Sequence, residues 1–295
     1  MLDFWQHLPY KIDPVIVELG IFSARWYWLM YVAGFSAVYF LLSYRLRRGE
    51  REVLKKTDKK SEAAALDALW WMFLGLIMGA RLGYFIFYDW AELLKDPLIL
   101  INPLANTGQG WVIRGWYGMS YHGGLIGAAA ALFLYCAKNK LNFLRMADFI
   151  LPAVPLGFFF GRVGNFLNGE LYGRVTGGWW GMYFPLAYYS DGISLLRHAS
   201  QLYEAFFEGL LLFLILWLLR NYKSKQRPGF ITGLYLIFYG FFRFFIEFAR
   251  EPDEQLGLLF WGFSMGQALC FLMLVIGFIF AIMSFRSDRF TKEIL

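Results

Sequence analysis

Seven long apolar runs divide the chain, and short polar segments separate them. Each run holds about 20 mostly apolar residues, the length that an α-helix needs to cross a bilayer. The runs are rich in Leu, Phe, Ala and Gly and show no alternation of apolar and polar positions, so we do not expect the strands of a membrane barrel. The pattern predicts spanning helices at residues 26–44, 64–87, 119–137, 149–167, 200–219, 230–249 and 265–285.

The composition agrees with a membrane protein. Of the 295 residues, 59% are hydrophobic and only 17% are charged, and the mean hydropathy is +0.46. Soluble domains are usually about 45–50% apolar and about 25% charged. No polar stretch is long enough to form a soluble domain, so we predict an all-α integral membrane protein with one polytopic domain over residues 1–295.

The distribution of basic residues predicts the orientation of the spans. The loops 45–60, 138–145 and 220–227 and the tail 286–295 carry eighteen Lys and Arg, whereas the loops on the other side carry seven. Cytoplasmic loops hold the excess of basic residues. We therefore expect a periplasmic N-terminus and a cytoplasmic C-terminus. The net charge of +6 belongs to these loops beside anionic lipid, so no nucleic acid partner is expected.

Other features of the sequence narrow the class of protein. The first fifteen residues lack the basic, apolar and small-residue regions of a cleaved signal peptide, so we do not expect one. Cys136 and Cys270 lie inside apolar runs and belong to no CxxC pair, which favours two buried structural thiols. The sequence suggests no metal site and no cofactor.

Polar residues inside the predicted spans cluster at one depth. Such residues are costly in lipid and usually functional. Glu204 and Glu208 are spaced i,i+4 and repel each other, so we expect arginines of neighbouring spans to pair with them. Given the predicted orientation, the outer half of the bilayer would contain Tyr27, Arg81, His122, Arg162, Glu204, Glu208, Arg243 and Glu247.

The stretch GRVGNFLNGELYG at 161–173 is the strongest functional signal. Arg162 and Asn165 are spaced i,i+3, and the four glycines permit close backbone approach and a positive φ where a helix ends. Irregular backbone at membrane depth is tolerated where protein or water covers it, so we expect this stretch to line a wet cavity. The planar fork of arginine matches phosphate oxygens. The stretch therefore predicts a site for a phosphate-bearing group.

These residues by themselves leave two functions open. One is an enzyme that acts on an anionic lipid, and the alternative is a transporter or binding protein for an anionic lipid or anion. Transport needs a polar path to the opposite face of the membrane. The inner halves of the spans carry no matching chain of polar residues, because Asp67 and Asp148 lie at the cytoplasmic ends.

The motifs resemble those of the prolipoprotein diacylglyceryl transferase family. The 161–173 stretch matches every fixed position of that family's signature, Gly-Arg-x-Gly-Asn-Phe-x-Asn-x-Glu-x-x-Gly. Two positions differ from the family pattern, since Trp28 replaces a glycine and Ala199 replaces a proline. Further family blocks occur in the same order, namely RWYWLMYVAGF at 25–35, ARLGYFIFY at 80–88, SYHGGLIG at 120–127, SQLYEAFFEG at 200–209 and YGFFRFFIEFAREPD at 239–253.

The resemblance implies a specific reaction. A diacylglyceryl group would pass from phosphatidylglycerol to the lipobox cysteine thiol of a preprolipoprotein, with a thioether formed and glycerol phosphate released. It also implies seven spans with the N-terminus outside, in a bacterial inner membrane. The partners would be phosphatidylglycerol, the lipobox segment and membrane lipid, and the site would face the periplasmic leaflet.

Residue roles follow from this implied chemistry. His122 is the candidate base for the thiol, because histidine titrates near neutral pH, although Glu170 or Glu247 could act instead. Arg162 and Arg243 would stabilise the leaving phosphate. The predicted catalytic residues are Tyr27, His122, Arg162, Arg243 and Glu247, of which Glu247 would position Arg243 and Tyr27 would hydrogen-bond the headgroup. The predicted phosphatidylglycerol-binding residues are Arg81, Arg162, Asn165, Glu170, Gly173, His198 and Arg243.

Overall fold

The computed structural model describes residues 2–19, 22–50, 59–100, 104–106, 111–113, 119–187, 192–221, 228–251 and 264–292. Over these residues the chain is mostly helical and divides into two compact units. The first unit combines Met1–Val53 with Ala147–Leu295, and the second is Leu54–Met146. The prediction of a single membrane domain stays a prediction.

The elements follow the predicted apolar runs closely. Each run is helical over most of its length. In chain order the elements are α1 (Leu2–Gln6), α2 (Leu8–Lys11), β1 (Val15–Leu19), β2 (Phe22–Arg25), α3 (Trp26–Arg47), α4 (Lys59–Tyr88), α5 (Trp90–Lys95), a 3₁₀ turn (Pro97–Leu100), β3 (Leu104–Asn106), β4 (Trp111–Ile113), α6 (Tyr121–Lys138), α7 (Phe143–Ile150), α8 (Val154–Leu167), α9 (Ser200–Glu204), a π-helical segment (Ala205–Leu211), α10 (Leu212–Leu219), α11 (Phe230–Ile246) and α12 (Met265–Lys292).

Length and hydropathy identify four helices of the described chain as candidate spans. The bent pair α7–α8 counts as a fifth, whereas the apolar segments Gly123–Lys138 and Phe230–Ile246 are shorter than 18 residues. The structure thus supports a multi-pass membrane protein. The prediction of seven spans and of their orientation stays a prediction, and much of the basic sequence at 45–60 and 220–227 lies outside the described residues.

The expectation of one continuous helix over 149–167 is wrong. Helix α7 ends at Ile150, and α8 begins at Val154 after a bend of 53°. Pro152 lies in the break and Pro155 in the first turn of α8. Proline lacks a backbone N–H and its ring collides with the preceding turn, so it begins a helix more easily than it continues one.

The mostly helical structure agrees with the predicted all-α membrane class, and the connections add two short antiparallel hairpins. Strand β1 pairs with β2 in the first unit, and β3 pairs with β4 in the second. β1 reads VIVEL, and β-branched residues favour extended backbone. The hairpins lie between helices rather than within the predicted spans.

Helix α8 is central to the first unit because glycines allow its neighbours to approach closely. A Cβ on Gly34 of α3 would lie 2.9 Å from the carbonyl oxygen of Gly157 on α8. On another side of α8, a Cβ on Gly209 of the π-helical segment would lie 2.7 Å from Phe159 Cβ. The signature stretch therefore begins on a helix that is packed against both α3 and the π-helical segment.

The second unit is built on the pairing of α4 with α6. Gly79 and Gly83 of α4 face Gly123 of α6, and a Cβ on Gly123 would lie 2.3 Å from the Gly79 carbonyl oxygen. Small residues let membrane helices pack backbone to backbone, where dispersion and weak polar contacts replace the hydrophobic effect. Ser120 caps α6 by accepting a hydrogen bond from the Gly123 N–H at 3.3 Å.

Candidate functional site

Three arginines and three glutamates form a buried ionic cluster in the first unit. The arginine side chains keep exposed fractions of 11%, 15% and 17%, whereas two of the glutamates have none. The arginines therefore occupy the accessible side of the cluster, and the glutamates lie behind them. The members are Arg162 of α8, Glu204 of α9, Glu208 of the π-helical segment, Arg243 of α11, and Glu247 and Arg250 just beyond α11.

Glu204 is the centre of this cluster. Its Oε2 lies 2.8 Å from Arg162 Nε and 3.2 Å from Arg243 Nη1. Its Oε1 accepts a hydrogen bond from Arg250 Nη1 at 2.9 Å. Charge-assisted bonds of this kind compensate a buried carboxylate for its lost hydration. The sequence prediction that neighbouring arginines pair with Glu204 is confirmed.

Arg243 joins all three carboxylates. Its Nη2 lies 3.0 Å from Glu247 Oε2, one helical turn along the chain, and its Nη1 lies 3.8 Å from Glu208 Oε1. Glu247 is held in turn by the hydroxyl of Ser264, which donates to Oε1 at 2.9 Å. The i,i+4 spacing thus produces the predicted contact between Arg243 and Glu247, and Ser264 orients the carboxylate from the start of α12.

Helix α9 and the π-helical segment that follows it place Glu204 and Glu208 on the face that meets α8. Wider turns are uncommon in helices and occur often at functional sites. Glu204 ends α9 and Glu208 lies within the wide turns, and both side chains are buried against Arg162 and Arg243. The sequence pattern predicted a regular helix here, because the energetic preference for the π form arises from packing and not from the local residues.

The signature stretch ends α8 in a Schellman motif. The N–H of Gly169 donates to Phe166 O at 2.9 Å, and the N–H of Glu170 donates to Asn165 O at 3.1 Å. Gly169 has φ +69°, as the left-handed position after a helix requires. The positive φ expected at the helix end is confirmed.

This helix end aligns the polar side chains of the signature. Arg162 Nη1 donates to Asn165 Oδ1 at 3.3 Å, and Asn165 Nδ2 donates to Glu170 Oε1 at 2.8 Å. The Asn165 side chain is therefore oriented by both neighbours. Because Glu204 takes the Nε of Arg162, the chain from Glu204 through Arg162 and Asn165 to Glu170 holds the guanidinium in one orientation.

Gly173 is required by packing. A Cβ there would lie 2.1 Å from Ala249 O and 3.0 Å from His198 Cβ. The N–H of Gly173 donates to His198 O at 2.8 Å, and Gly173 also forms a bridge with Arg250. The structure thus brings Gly173, at the end of the signature stretch, next to His198, which lies just before α9, and next to Arg250, which lies just beyond α11.

His198 itself lies beside the cluster, just before α9. Its Nδ1 is 3.2 Å from the hydroxyl of Tyr203. Burial lowers the pKa of His198, so the neutral imidazole is favoured near pH 7. Ala199 follows as the N-cap of α9 and is buried, so the small residue fits where the family pattern has proline.

Tyr27 lies against the signature helix. A Cβ on Gly164 would lie 3.5 Å from Tyr27 Cα, so the first turn of α3 packs directly on α8. The Tyr27 hydroxyl is 2.9 Å from the hydroxyl of Tyr31, one turn along α3. Trp28, which replaces the glycine of the family pattern, is 61% exposed and so points away from this contact.

A cavity of about 470 Å³ borders this part of the first unit. Residues 11–16 of the N-terminal segment, Trp26 and Leu167 line it. Leu167 is the one signature residue in the lining, so this cavity adjoins the end of α8 and does not contain the arginines. It does not correspond to the wet cavity expected around Arg162.

Comparison with known proteins identifies the family. The sequence profile of the prolipoprotein diacylglyceryl transferase family matches residues 14–283. The chain is 49% identical over 280 residues to the phosphatidylglycerol–prolipoprotein diacylglyceryl transferase of Chlorobaculum tepidum, covering 94% of this chain and 92% of that protein. It is 44% identical over 287 residues to the protein of that name from Pseudoalteromonas atlantica, covering 96% and 92%.

The chain belongs to the prolipoprotein diacylglyceryl transferase family. The family recognised from the 161–173 signature is therefore confirmed, and the protein is a transferase. A third relative of the same name, from Nitratidesulfovibrio vulgaris, is 41% identical over 269 residues, covering 90% of this chain and 92% of that protein.

Two predicted site residues of the transferase lie in the second unit. Arg81 of α4 donates from Nη2 to Ile99 O at 2.9 Å, and its guanidinium lies 5.0 Å from the Phe85 ring centroid. His122 is the second residue of α6, and its side chain lies outside the described part of the structure. The structure thus groups the other eight predicted residues in the first unit, around or beside the ionic cluster.

Gln201 is a fully buried residue of the candidate site that was not among the residues predicted from the sequence. Its Nε2 donates to Glu170 O at 2.6 Å, which ties α9 to the signature stretch. Gln201 precedes Glu204 by three positions and Glu208 by seven, which puts all three on one helical face. That spacing is the signal by which the residue could have been found.

Proposed function

We propose that this transferase moves the diacylglyceryl group of phosphatidylglycerol onto the lipobox cysteine of preprolipoproteins, the first step of bacterial lipoprotein maturation. The bond between the diacylglyceryl carbon and the phosphate oxygen breaks, and a carbon–sulfur bond forms at the thiol. Glycerol phosphate leaves, and the thiol proton passes to a base. The reaction needs anionic-lipid recognition, stabilisation of a leaving phosphate and deprotonation of a thiol, because the thiolate is the nucleophile.

The observation that carries this proposal is the set of buried arginines in a chain of this family. Arg162 and Arg243 are held by Glu204 at 2.8 and 3.2 Å on the accessible side of the cluster. Preorganised cations act most strongly where water is excluded and where no reorganisation is needed as charge develops. Guanidinium groups held in this way suit a phosphate that gains negative charge as it leaves.

The remaining signature residues would recognise the headgroup. Asn165 and Glu170 hold each other at 2.8 Å at the end of α8, and each retains polar atoms for the glycerol hydroxyls. Tyr27 lies against the same helix end and would add a phenol. His198 contributes a neutral imidazole, and Gly173 permits the close backbone approach of the segments around them. Arg81 would contact the phosphate or its surroundings as an additional cation.

His122 is the proposed base. Histidine exchanges protons near neutral pH, as deprotonation of a thiol under physiological conditions requires. Glu170 and Glu247 are the alternatives. Glu247 is engaged by Arg243 at 3.0 Å and by the Ser264 hydroxyl at 2.9 Å, so both contacts hold its carboxylate in place. This arrangement supports a positioning role for Glu247, with His122 as the group that accepts the thiol proton.

We further propose seven spans with the N-terminus in the periplasm and the C-terminus in the cytoplasm of a bacterial inner membrane. The excess of basic residues in the loops 45–60, 138–145 and 220–227 supports this orientation. It would place the arginine cluster toward the periplasmic leaflet. The scissile bond of phosphatidylglycerol lies just below the lipid headgroup, at a comparable depth.

The decisive experiment is a transfer assay with purified protein. The enzyme is incubated with phosphatidylglycerol and a lipobox peptide, and mass spectrometry measures the mass gain of one diacylglyceryl group on the peptide. We expect the adduct together with released glycerol phosphate. A peptide with serine in place of the lipobox cysteine, and vesicles of phosphatidylcholine alone, are the matched controls and should yield no adduct. An unmodified cysteine peptide with folded enzyme would contradict the proposal.

A further inference from the structure

One carboxylate of the ionic cluster is held much less firmly than the other two. Glu208 is 1% exposed, yet neither of its carboxylate oxygens receives a hydrogen bond within the part of the chain that the structure describes. Its ionic contact, Oε1 to Arg243 Nη1, spans 3.8 Å. By contrast, Glu204 is contacted by three arginines and Glu247 by Arg243 and the Ser264 hydroxyl.

The surroundings of Glu208 contain charges of both signs. Two like charges on adjacent turns oppose each other, and burial disfavours a charged carboxylate that lacks donors. Three arginines and three carboxylates balance only while all six are charged. The charged groups that act on Glu208 are Arg162 from α8, Glu204 from α9, Arg243 from α11 and Arg250 beyond it. The buried thiol of Cys270 from α12 also interacts with Glu208, whereas Tyr239 and Glu247 interact with Arg243.

Arrival of an anionic headgroup changes this balance. While Glu208 is ionised the cluster is balanced, and a phosphodiester then adds a negative charge whose burial without compensation is costly. Uptake of one proton restores neutrality. Glu204 and Glu247 each accept a hydrogen bond and contact an arginine at 2.8 to 3.0 Å, so the proton goes to the carboxylate that accepts no hydrogen bond.

Resting on the function proposed above, we propose that Glu208 is a positioning residue that takes up a proton when the anionic lipid headgroup binds, which removes the Glu208 charge that competes with the phosphate for Arg243 Nη1. With Glu208 neutral, Arg243 keeps its contacts with Glu204 and Glu247, but the Glu208 carboxyl group no longer attracts it electrostatically. Lipid binding and protonation are then linked, and each favours the other. Glu208 acts through Arg243 and contacts no reacting atom.

This linkage predicts a pH-dependent affinity. The wild-type protein should bind phosphatidylglycerol more weakly as pH rises, by up to about tenfold per pH unit for one linked proton. Glu208→Gln mimics the neutral acid in shape and cannot ionise. Its affinity should be nearly independent of pH and should exceed the wild-type affinity at alkaline pH. Glu208→Asp keeps an ionisable group and should restore a dependence on pH.

The experiment measures binding of phosphatidylglycerol to the full-length protein in phosphatidylcholine nanodiscs from pH 6 to 9, without any peptide. The matched control is Glu50→Gln, which makes the same change at the ion pairs with Arg45 and Arg220 outside the candidate site. It should keep the wild-type slope. Equal slopes for wild type and Glu208→Gln, or a wild-type affinity that does not change with pH, would overturn the proposal.

A second measurement avoids dependence on the variant. Infrared difference spectra of the wild-type protein, with and without phosphatidylglycerol, should show the carbonyl stretch of one newly protonated carboxylic acid on binding. Its absence would overturn the proposal even if Glu208→Gln failed to fold. Failure of wild type to bind phosphatidylglycerol at any pH would overturn the proposed function as well, whereas pH-independent binding would overturn the proton linkage alone.

Discussion

The guanidinium of Arg162 lies against the carboxylate of Glu204, with 2.8 Å between Nε and Oε2. Arg162 belongs to the signature helix and Glu204 to α9, so the contact joins two elements that are distant in sequence. A hydrogen bond from Arg162 Nη1 to Asn165 Oδ1 also fixes the orientation of the guanidinium plane. The arginine is therefore fixed in both position and orientation.

Replacing the planar guanidinium of Arg162 with the ammonium group of lysine should lower the transfer rate more than the stability of the fold. Arg162→Lys keeps the charge, but one ammonium group cannot reach Glu204, Asn165 and a phosphate together. We expect the transfer rate to fall by about 10²-fold or more, the usual effect of removing a preorganised donor. Quantitative mass spectrometry of the peptide adduct measures the rate, and thermal unfolding in detergent checks the fold.

Arg220→Lys is the matched control for that prediction, because Arg220 pairs with Glu50 outside the candidate site. Its transfer rate should stay close to wild type. If Arg162→Lys were equally active, Arg162 would supply only general positive potential, and the fixed orientation of its fork would have no catalytic meaning.

The crowding at Gly173 predicts a stability effect that Gly161 of the same signature stretch does not share. Gly173→Ala puts a Cβ 2.1 Å from Ala249 O, a backbone atom that cannot move easily, and should destabilise the protein by about 1–3 kcal/mol. Gly161→Ala is the control, since no atom lies within 4 Å of its Cβ position. Alanine is favoured over glycine within a helix by about 1 kcal/mol, so this variant should be at least as stable as wild type. Equal melting temperatures of the two variants would contradict this description of the packing.

The proposed base is tested by the pH dependence of His122→Gln. Glutamine retains hydrogen bonding but cannot take the thiol proton, so lipid binding should persist while transfer is lost. The deficit should shrink as pH rises toward the thiol pKa, about 8.5 when unperturbed, because solvent then supplies the thiolate. Transfer rates of both proteins are compared across pH, with lipid binding measured separately. A deficit that is the same at every pH would make His122 a ligand of the headgroup, and Glu170 or Glu247 would become the base.

The proposed orientation is tested by reporter fusions. The asymmetry of eighteen basic residues against seven predicts cytoplasmic signals for fusions after residues 50 and 223, and a periplasmic signal near residue 185. Paired reporters that are active on opposite sides of the membrane serve as mutual controls. The reverse pattern would put the arginine cluster in the cytoplasmic leaflet and would contradict the proposed site.

Local patterns of the sequence predicted most of the helical framework. The run at 200–219 is helical throughout, with the π form at 205–211, because backbone groups at membrane depth must form their hydrogen bonds within the segment. The run at 149–167 was predicted less well, since its hydropathy is continuous while Pro152 and Pro155 break its geometry. The two hairpins were missed because their strands are short and depend on pairing with each other.

The sequence by itself determined the family, the helical class and most of the polar residues that the structure brings together in the candidate site. Each of these depends on residue order or on hydrophobicity averaged over a run, so no three-dimensional contact is needed to recognise it. Tertiary structure decided how those residues interact. Helix packing and the wide turns at 205–211 decide that Glu204 receives three arginines while Glu208 receives one distant contact. Both glutamates have the same side chain and lie one turn apart, so only the positions of α8 and α11 make them chemically different.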